Sequence, residues 1–119
     1  LGRFVMTDRT LILTFLAASF LGLPAIAGPL ADGDGKTLYT FDKDQGGVSA
    51  CYDDCAAKWP PYLGKASDPM AEGWTLVDRS DGTKQWAYDG KPVYYFAGDT
   101  KAGETNGDGL GEVWHIINE

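Results

Sequence analysis

At 119 residues and 12.8 kDa, with 44% hydrophobic and 13% aromatic residues, the chain has room for one compact domain and enough apolar mass to give it a core. Seventeen acidic against ten basic residues set a net charge of −7, the wrong sign for tracking a phosphate backbone, and this excludes nucleic acid as a partner. One histidine, with no Ser/His/Asp, HExxH, P-loop or GxGxxG arrangement, leaves hydrolytic and nucleotide-dependent catalysis without a starting point, so a non-enzymatic protein is expected.

Arg3 and Arg9 precede an apolar run, Leu11 to Leu23, followed by Pro24-Ala25-Ile26-Ala27-Gly28, an A-x-A site where a signal peptidase would cut. Residues 1–27 therefore read as a secretory signal peptide. Met6 opens a complete signal by itself, so residues 1–5 read as an upstream extension of the frame. A thirteen-residue run is too short to span a bilayer, and no later stretch is long or apolar enough, so no transmembrane segment is expected after cleavage. The expected product is a single soluble domain, 28–119, periplasmic or secreted, with eight basic and sixteen acidic side chains.

The first extended segment follows the turn signal Asp34-Gly35 and runs through Tyr39 and Phe41, which share one strand face, to Asp44. A short helix is expected over Ser49 to Lys58, with Ser49 as cap, Asp53 and Asp54 early, Lys58 late, and Trp59-Pro60-Pro61 as the stop. It carries Cys51 and Cys55, an even count bound for an oxidising compartment, where a disulfide is the expected state. The pair lies close enough to bridge, but bridging would distort a regular helix; the loop is so short that it contributes only roughly 2 kcal/mol. Trp74–Arg79, Lys84–Tyr88 and Pro92–Ala97 follow as strand-like runs separated by Ser80-Asp81-Gly82-Thr83 and Asp89-Gly90, an antiparallel meander. A last strand, Glu112–Ile117, sets Val113, His115 and Ile117 on one face and Trp114 and Ile116 on the other.

Shifting the sequence by 55 residues aligns Asp34–Asp44 with Asp89–Asp99, identical at six of eleven positions, and the same offset places Trp59 on Trp114. The expected fold is mainly β (α+β): an antiparallel meander built from two pseudo-symmetric repeats of about 55 residues, with one short Cys-bearing helix. The repeats are placed at about 30–62 and 85–117 and joined by a β-hairpin segment. One unit is too small to bury its own aromatic face, so the Tyr39/Phe41 and Tyr94/Phe96 faces are expected to meet about a pseudo-twofold axis.

The YTFDKD segment with Tyr39, Phe41 and Asp44, then CYDDCAAKWPP, DGTKQWAYDGKPVYYFAGDT and GEVWHII, together resemble the bacterial secreted-repeat family, predicted lipoproteins with a YxFxxD motif. The resemblance runs from about Leu30 to Ile117 and implies a small secreted or envelope protein, with no established activity to carry over. Its motif residues here are Tyr39, Phe41, Asp44, Trp59, Tyr94, Phe96, Asp99 and Trp114. Many relatives carry a lipid-modified Cys after the signal peptide; Gly28 stands there in this chain, so no lipid anchor is expected.

Each chemical constellation has a plainer reading beside it. Asp44 and Asp99 precede Gly-containing segments and are expected to fold back on turn amides; brought together by the repeats they would instead frame a calcium-like cation. Glu104 to Gly109 imitates the first half of an EF-hand loop, but position 12 would be His115, so a polar turn is the expectation. Cys51, Cys55 and His115 form a soft-ligand set, which makes a periplasmic copper-binding or thiol-redox protein the alternative function and copper the alternative cofactor. Otherwise no catalytic residue, cofactor or metal is expected. Four Trp and six Tyr, all beyond residue 27, serve the core first and offer a stacking surface for a ligand second. The reading is a non-catalytic binding or structural module of the bacterial envelope, its partner an unknown envelope protein or ligand.

Overall fold

The computed structural model describes residues 28–118. The expected signal peptide lies outside the described residues. In chain order the elements are β1 (Tyr39–Phe41), α1 (Asp54–Lys58), β2 (Leu63–Gly64), β3 (Trp74–Asp78), β4 (Lys84–Tyr88), β5 (Lys91–Pro92), a 3-10 turn (Leu110–Glu112) and β6 (Trp114–Ile116). Among the described residues the fold is mostly strand with one short helix. Among the described residues no helix is long and apolar enough to cross a membrane.

The hairpin segment forms where the alternating sequence and turn residues place it. β3 and β4 pair antiparallel along their whole length, from Trp74 opposite Tyr88 to Asp78 opposite Lys84. The opposite edge of β4 is shared, with Leu63 and Gly64 of β2 against one end and Pro92 and Lys91 of β5 against the other. Asp89 and Gly90, between β4 and β5, both take positive φ, 50° and 83°, as a two-residue hairpin turn of matching twist requires. β1 and β6 make a separate antiparallel pair, Tyr39 opposite Ile116 and Phe41 opposite Trp114.

Two runs depart from expectation. Pro92–Ala97 is not a continuous strand: after Pro92, Tyr94 makes isolated bridges to Tyr39 on one side and Pro61 on the other. Tyr95 and Ala97 then donate to Pro60 and Lys58, a neighbour too irregular to sustain a ladder. The helix is also shorter than expected, a little over one turn, and Ser49 does not cap it. Asp53 occupies the N-cap at φ 55° without a side-chain cap bond, and Cys51 precedes the helix altogether. The Cys51–Cys55 disulfide therefore ties an irregular entry segment to the helix, Cα atoms 5.2 Å apart, and no regular helix is distorted.

Two apolar clusters form the core, and the extended segments feed both by their period of two. Tyr39, Cys51, Trp59, Tyr94 and Trp114 make the first, with Phe41, Phe96, Val113 and Ile116 against them. Leu30, Leu38, Trp86 and Val93 make the second, joined by Tyr62, Trp74, Leu76 and Ile117. The neighbours Leu38 and Tyr39 thus point into different clusters, as do Val93 and Tyr94, and Ile116 and Ile117. Val113 breaks the face expected for it: it ends the 3-10 turn, ahead of β6, and packs with Trp114 in the first cluster.

Candidate functional site

The YxFxxD residues converge in the first cluster and engage each other crosswise. Tyr39 and Tyr94 exchange backbone hydrogen bonds, N to O at 2.8 Å and 2.9 Å. The Tyr39 hydroxyl donates to Asp99 Oδ2 at 2.5 Å, and the Tyr94 hydroxyl donates to Asp44 Oδ2 at 2.7 Å. The other oxygen of each carboxylate accepts a turn amide, Ala50 N on Asp44 and Asn106 N on Asp99. The turn-amide expectation for Asp44 and Asp99 describes one oxygen of each; the tyrosine on the other was not legible in the local sequence.

Around these pairs the large rings stack in a file. Phe41 lies on Trp114 at 4.0 Å, Trp114 on Trp59 at 3.8 Å and Trp59 on Phe96 at 4.4 Å. Tyr39 meets Trp59 edge-on, and Tyr94 meets Trp114 likewise, both at 5.2 Å. Gly107 is required at the rim: a Cβ there would stand 2.5 Å from the Trp59 ring.

Burial sets the ionisation of this cluster. It pushes the Tyr39 hydroxyl far above its usual value, reinforced by Asp99, and does the same to Tyr94, reinforced by Asp44. Burial also raises the Asp44 carboxyl, against hydrogen bonds from Tyr94 and Ala50 and the charge of Arg79.

Arg79, 5% exposed, is the buried cation of this region. Its Nη1 donates to Ser49 Oγ at 3.0 Å and Gln85 Oε1 at 2.8 Å, its Nη2 to the Cys51 carbonyl at 2.9 Å, and its guanidinium lies 4.3 Å from the Tyr52 ring centre. Ser49 Oγ is also 2.5 Å from Tyr94 Oη. Because Tyr94 gives its only proton to Asp44, Ser49 donates to Tyr94 and accepts from Arg79. An oriented chain thus runs from guanidinium to carboxylate, Arg79–Ser49–Tyr94–Asp44. Gln85 closes it laterally by donating to the Val93 carbonyl at 2.8 Å.

The soft-ligand set does not assemble. The two sulfurs are joined in a disulfide, and His115 Nε2 sits 2.8 Å from Asp42 Oδ2 on the β1–β6 ladder, where His115 pairs with Thr40. Among the described residues no group of three or more His, Cys, Asp or Glu side chains is placed to hold a metal ion. In the Glu104–Gly109 segment, Glu104 accepts the Thr100 and Lys101 amides and Asp108 accepts Ile116 N, the bonds of a polar turn.

A groove of about 250 Å³ opens on the second cluster, with Tyr62, Trp74, Trp86 and Asp32 among its walls. Trp74 and Trp86 stand at 87° with centres 6.0 Å apart, and Tyr62 stands at 88° to Trp74 with centres 6.2 Å apart. Asp32 is tied down beside them: its Oδ1 accepts the Asp34 and Lys36 amides and its Oδ2 accepts the Tyr95 hydroxyl at 2.7 Å. Burial alone would raise the Asp32 carboxyl, but these hydrogen bonds and the Lys36 charge outweigh it, so its pKa is lowered and it stays ionised. Burial raises the Tyr62 hydroxyl, and the charges of Asp32, Asp68 and Asp34 add to the shift.

Sequence reasoning counted these aromatics without selecting them. The signal was present in the register: Trp74 and Leu76 oppose Tyr88 and Trp86, putting four large side chains on one face of the β3–β4 hairpin. Arg79 carried no comparable signal.

The family model described as a secreted repeat of unknown function matches residues 28–62 and 75–118, together more than half the chain. The chain belongs to this secreted-repeat family. The two matched segments supply both sides of the crossed tyrosine–aspartate pairs and all four rings of the stack. Membership makes this a secreted or periplasmic protein, in line with its disulfide. No curated protein and no solved structure matches the chain.

Proposed function

We propose that the protein is a non-catalytic binding module of the bacterial envelope, built from two repeats, about 30–62 and 85–117, related by a pseudo-twofold axis. The repeat reading is supported by the reciprocal contacts: Tyr39 with Asp99 against Tyr94 with Asp44, and Trp59 stacked on Trp114. The binding reading rests on one contrast. The motif residues are spent on one another inside the first cluster, whereas the partly buried Tyr62 and Trp74, together with Trp86, a buried member of the second cluster, line an open groove. The non-catalytic part of the reading is supported by the carboxylates Asp44 and Asp99, which are engaged by tyrosine hydroxyls and turn amides.

The test is a titration of the secreted protein with a panel of oligosaccharides, peptides and small osmolytes, read by tryptophan fluorescence and by amide shifts. The expected result is a saturable ligand whose shifts centre on Tyr62, Trp74 and Trp86, recovered chemically unchanged. A ligand recovered as a converted product, or shifts centred on the Tyr39–Tyr94 pairs, would overturn the reading.

A further inference from the structure

We propose that the groove of Tyr62, Trp74 and Trp86 is a site for a small, free quaternary ammonium compound. The inference rests on reading this groove as the binding surface, and it adds the chemistry of the occupant.

Two observations select a cation. The rings stand at steep angles: 87° between Trp74 and Trp86, 88° between Tyr62 and Trp74 and 46° between Tyr62 and Trp86, with all three centres 6.0 to 6.4 Å apart. A flat sugar ring calls for one broad exposed face, whereas rings set as a corner contact a rounded group from several sides. The aromatic quadrupole attracts a cation within about 6 Å of a ring centre, and methylated ammonium groups are the ligands best matched to several such rings together. The groove is also anionic: Asp32 lines it, while Asp34 and Asp68 lie near enough to act on Tyr62.

Size and charge then choose the source. A volume of about 250 Å³ suits a small molecule and not an extended chain. The net charge of −7 repels anionic bilayer surfaces, which favours a free solute over a lipid headgroup. A primary ammonium, with its tightly held water, is the poorer fit, because the rings replace none of that water and three protein donors already occupy most of the Asp32 carboxylate.

The experiment titrates the secreted protein with choline, with its uncharged isostere 3,3-dimethyl-1-butanol, and with phosphatidylcholine vesicles, following tryptophan fluorescence. Choline is expected to saturate, with the isostere at least about tenfold weaker and choline binding weakened by salt. Trp74→Ala should abolish binding, and Asp34→Asn, on an exposed side chain, should weaken it severalfold with the fold unchanged by circular dichroism. Equal binding of choline and its isostere would overturn the cation assignment while leaving an apolar binding groove. Binding to vesicles without binding to free choline would overturn the free solute. If neither choline nor any member of the broader ligand panel perturbs the groove, the binding-module reading fails with it.

Discussion

Raising the pH should unfold this protein through its own motif tyrosines. Tyr39 and Tyr94 are fully buried, and burial together with the facing carboxylates holds both hydroxyls far above the ordinary value of 10.0. A group whose folded pKa is raised contributes stability that is complete below its unfolded value and lost as pH rises towards the folded one. Between pH 10 and the folded values the unfolded state releases protons the native state retains, at about 1.4 kcal/mol per pH unit for each tyrosine. Tyr95, pushed up by burial and by Asp32, behaves alike, so three tyrosines make about 4 kcal/mol per unit, which would exhaust a domain of about 5 kcal/mol a little above pH 11. The assay follows tyrosinate absorbance and tryptophan fluorescence on one sample. Of the six tyrosines, Tyr52, lowered by its hydrogen bond to Ser80, should ionise first and silently; Tyr39 and Tyr94 should ionise only as fluorescence reports unfolding. Tyr94→Phe should cut the slope by about a third. If all six tyrosines titrate together near pH 10 with fluorescence unchanged, the crossed tyrosine–aspartate pairs do not protect these hydroxyls and the reasoning is wrong.

The remaining predictions address packing and polar burial. Trp59→Ala removes the middle of the four-ring file and should cost about 3–5 kcal/mol, read as a fall in urea midpoint; a loss under about 1 kcal/mol would deny the stack its structural role. Gly107→Ala places a methyl 2.5 Å from the Trp59 ring and should cost about 1–3 kcal/mol, whereas Gly28→Ala, with open space around it, should change nothing. Arg79→Met strips the donors from Ser49, Gln85 and the Cys51 carbonyl and should cost about 2–4 kcal/mol by thermal melt. Reducing Cys51–Cys55 should cost only roughly 2 kcal/mol and leave a folded protein, since the closed loop is short; complete unfolding on reduction would refute that estimate.

The family, the β-rich class, the β3 and β4 strands and the turns at Asp81-Gly82 and Asp89-Gly90 were legible in the sequence. Their causes are local: alternation of large side chains marks a half-buried strand, and Gly or Asp marks positive φ, whatever the rest of the chain does. The disulfide was legible for a similar reason, from two cysteines four residues apart in a protein bound for an oxidising space. The tertiary structure decided the rest. It shortened the helix, because Ser49 is drawn away from its cap position to Tyr94 and Arg79. It broke Pro92–Ala97 into bridges by setting Tyr94 between Tyr39 and Pro61. It kept His115 with Asp42 and buried Arg79 among partners 6 to 30 positions away in sequence. It also turned three aromatic residues, Tyr62, Trp74 and Trp86, into the walls of one groove. Period and turn chemistry act between neighbours and are written in the order of residues; which buried polar group finds which partner depends on distances that exist only after the chain has closed on itself.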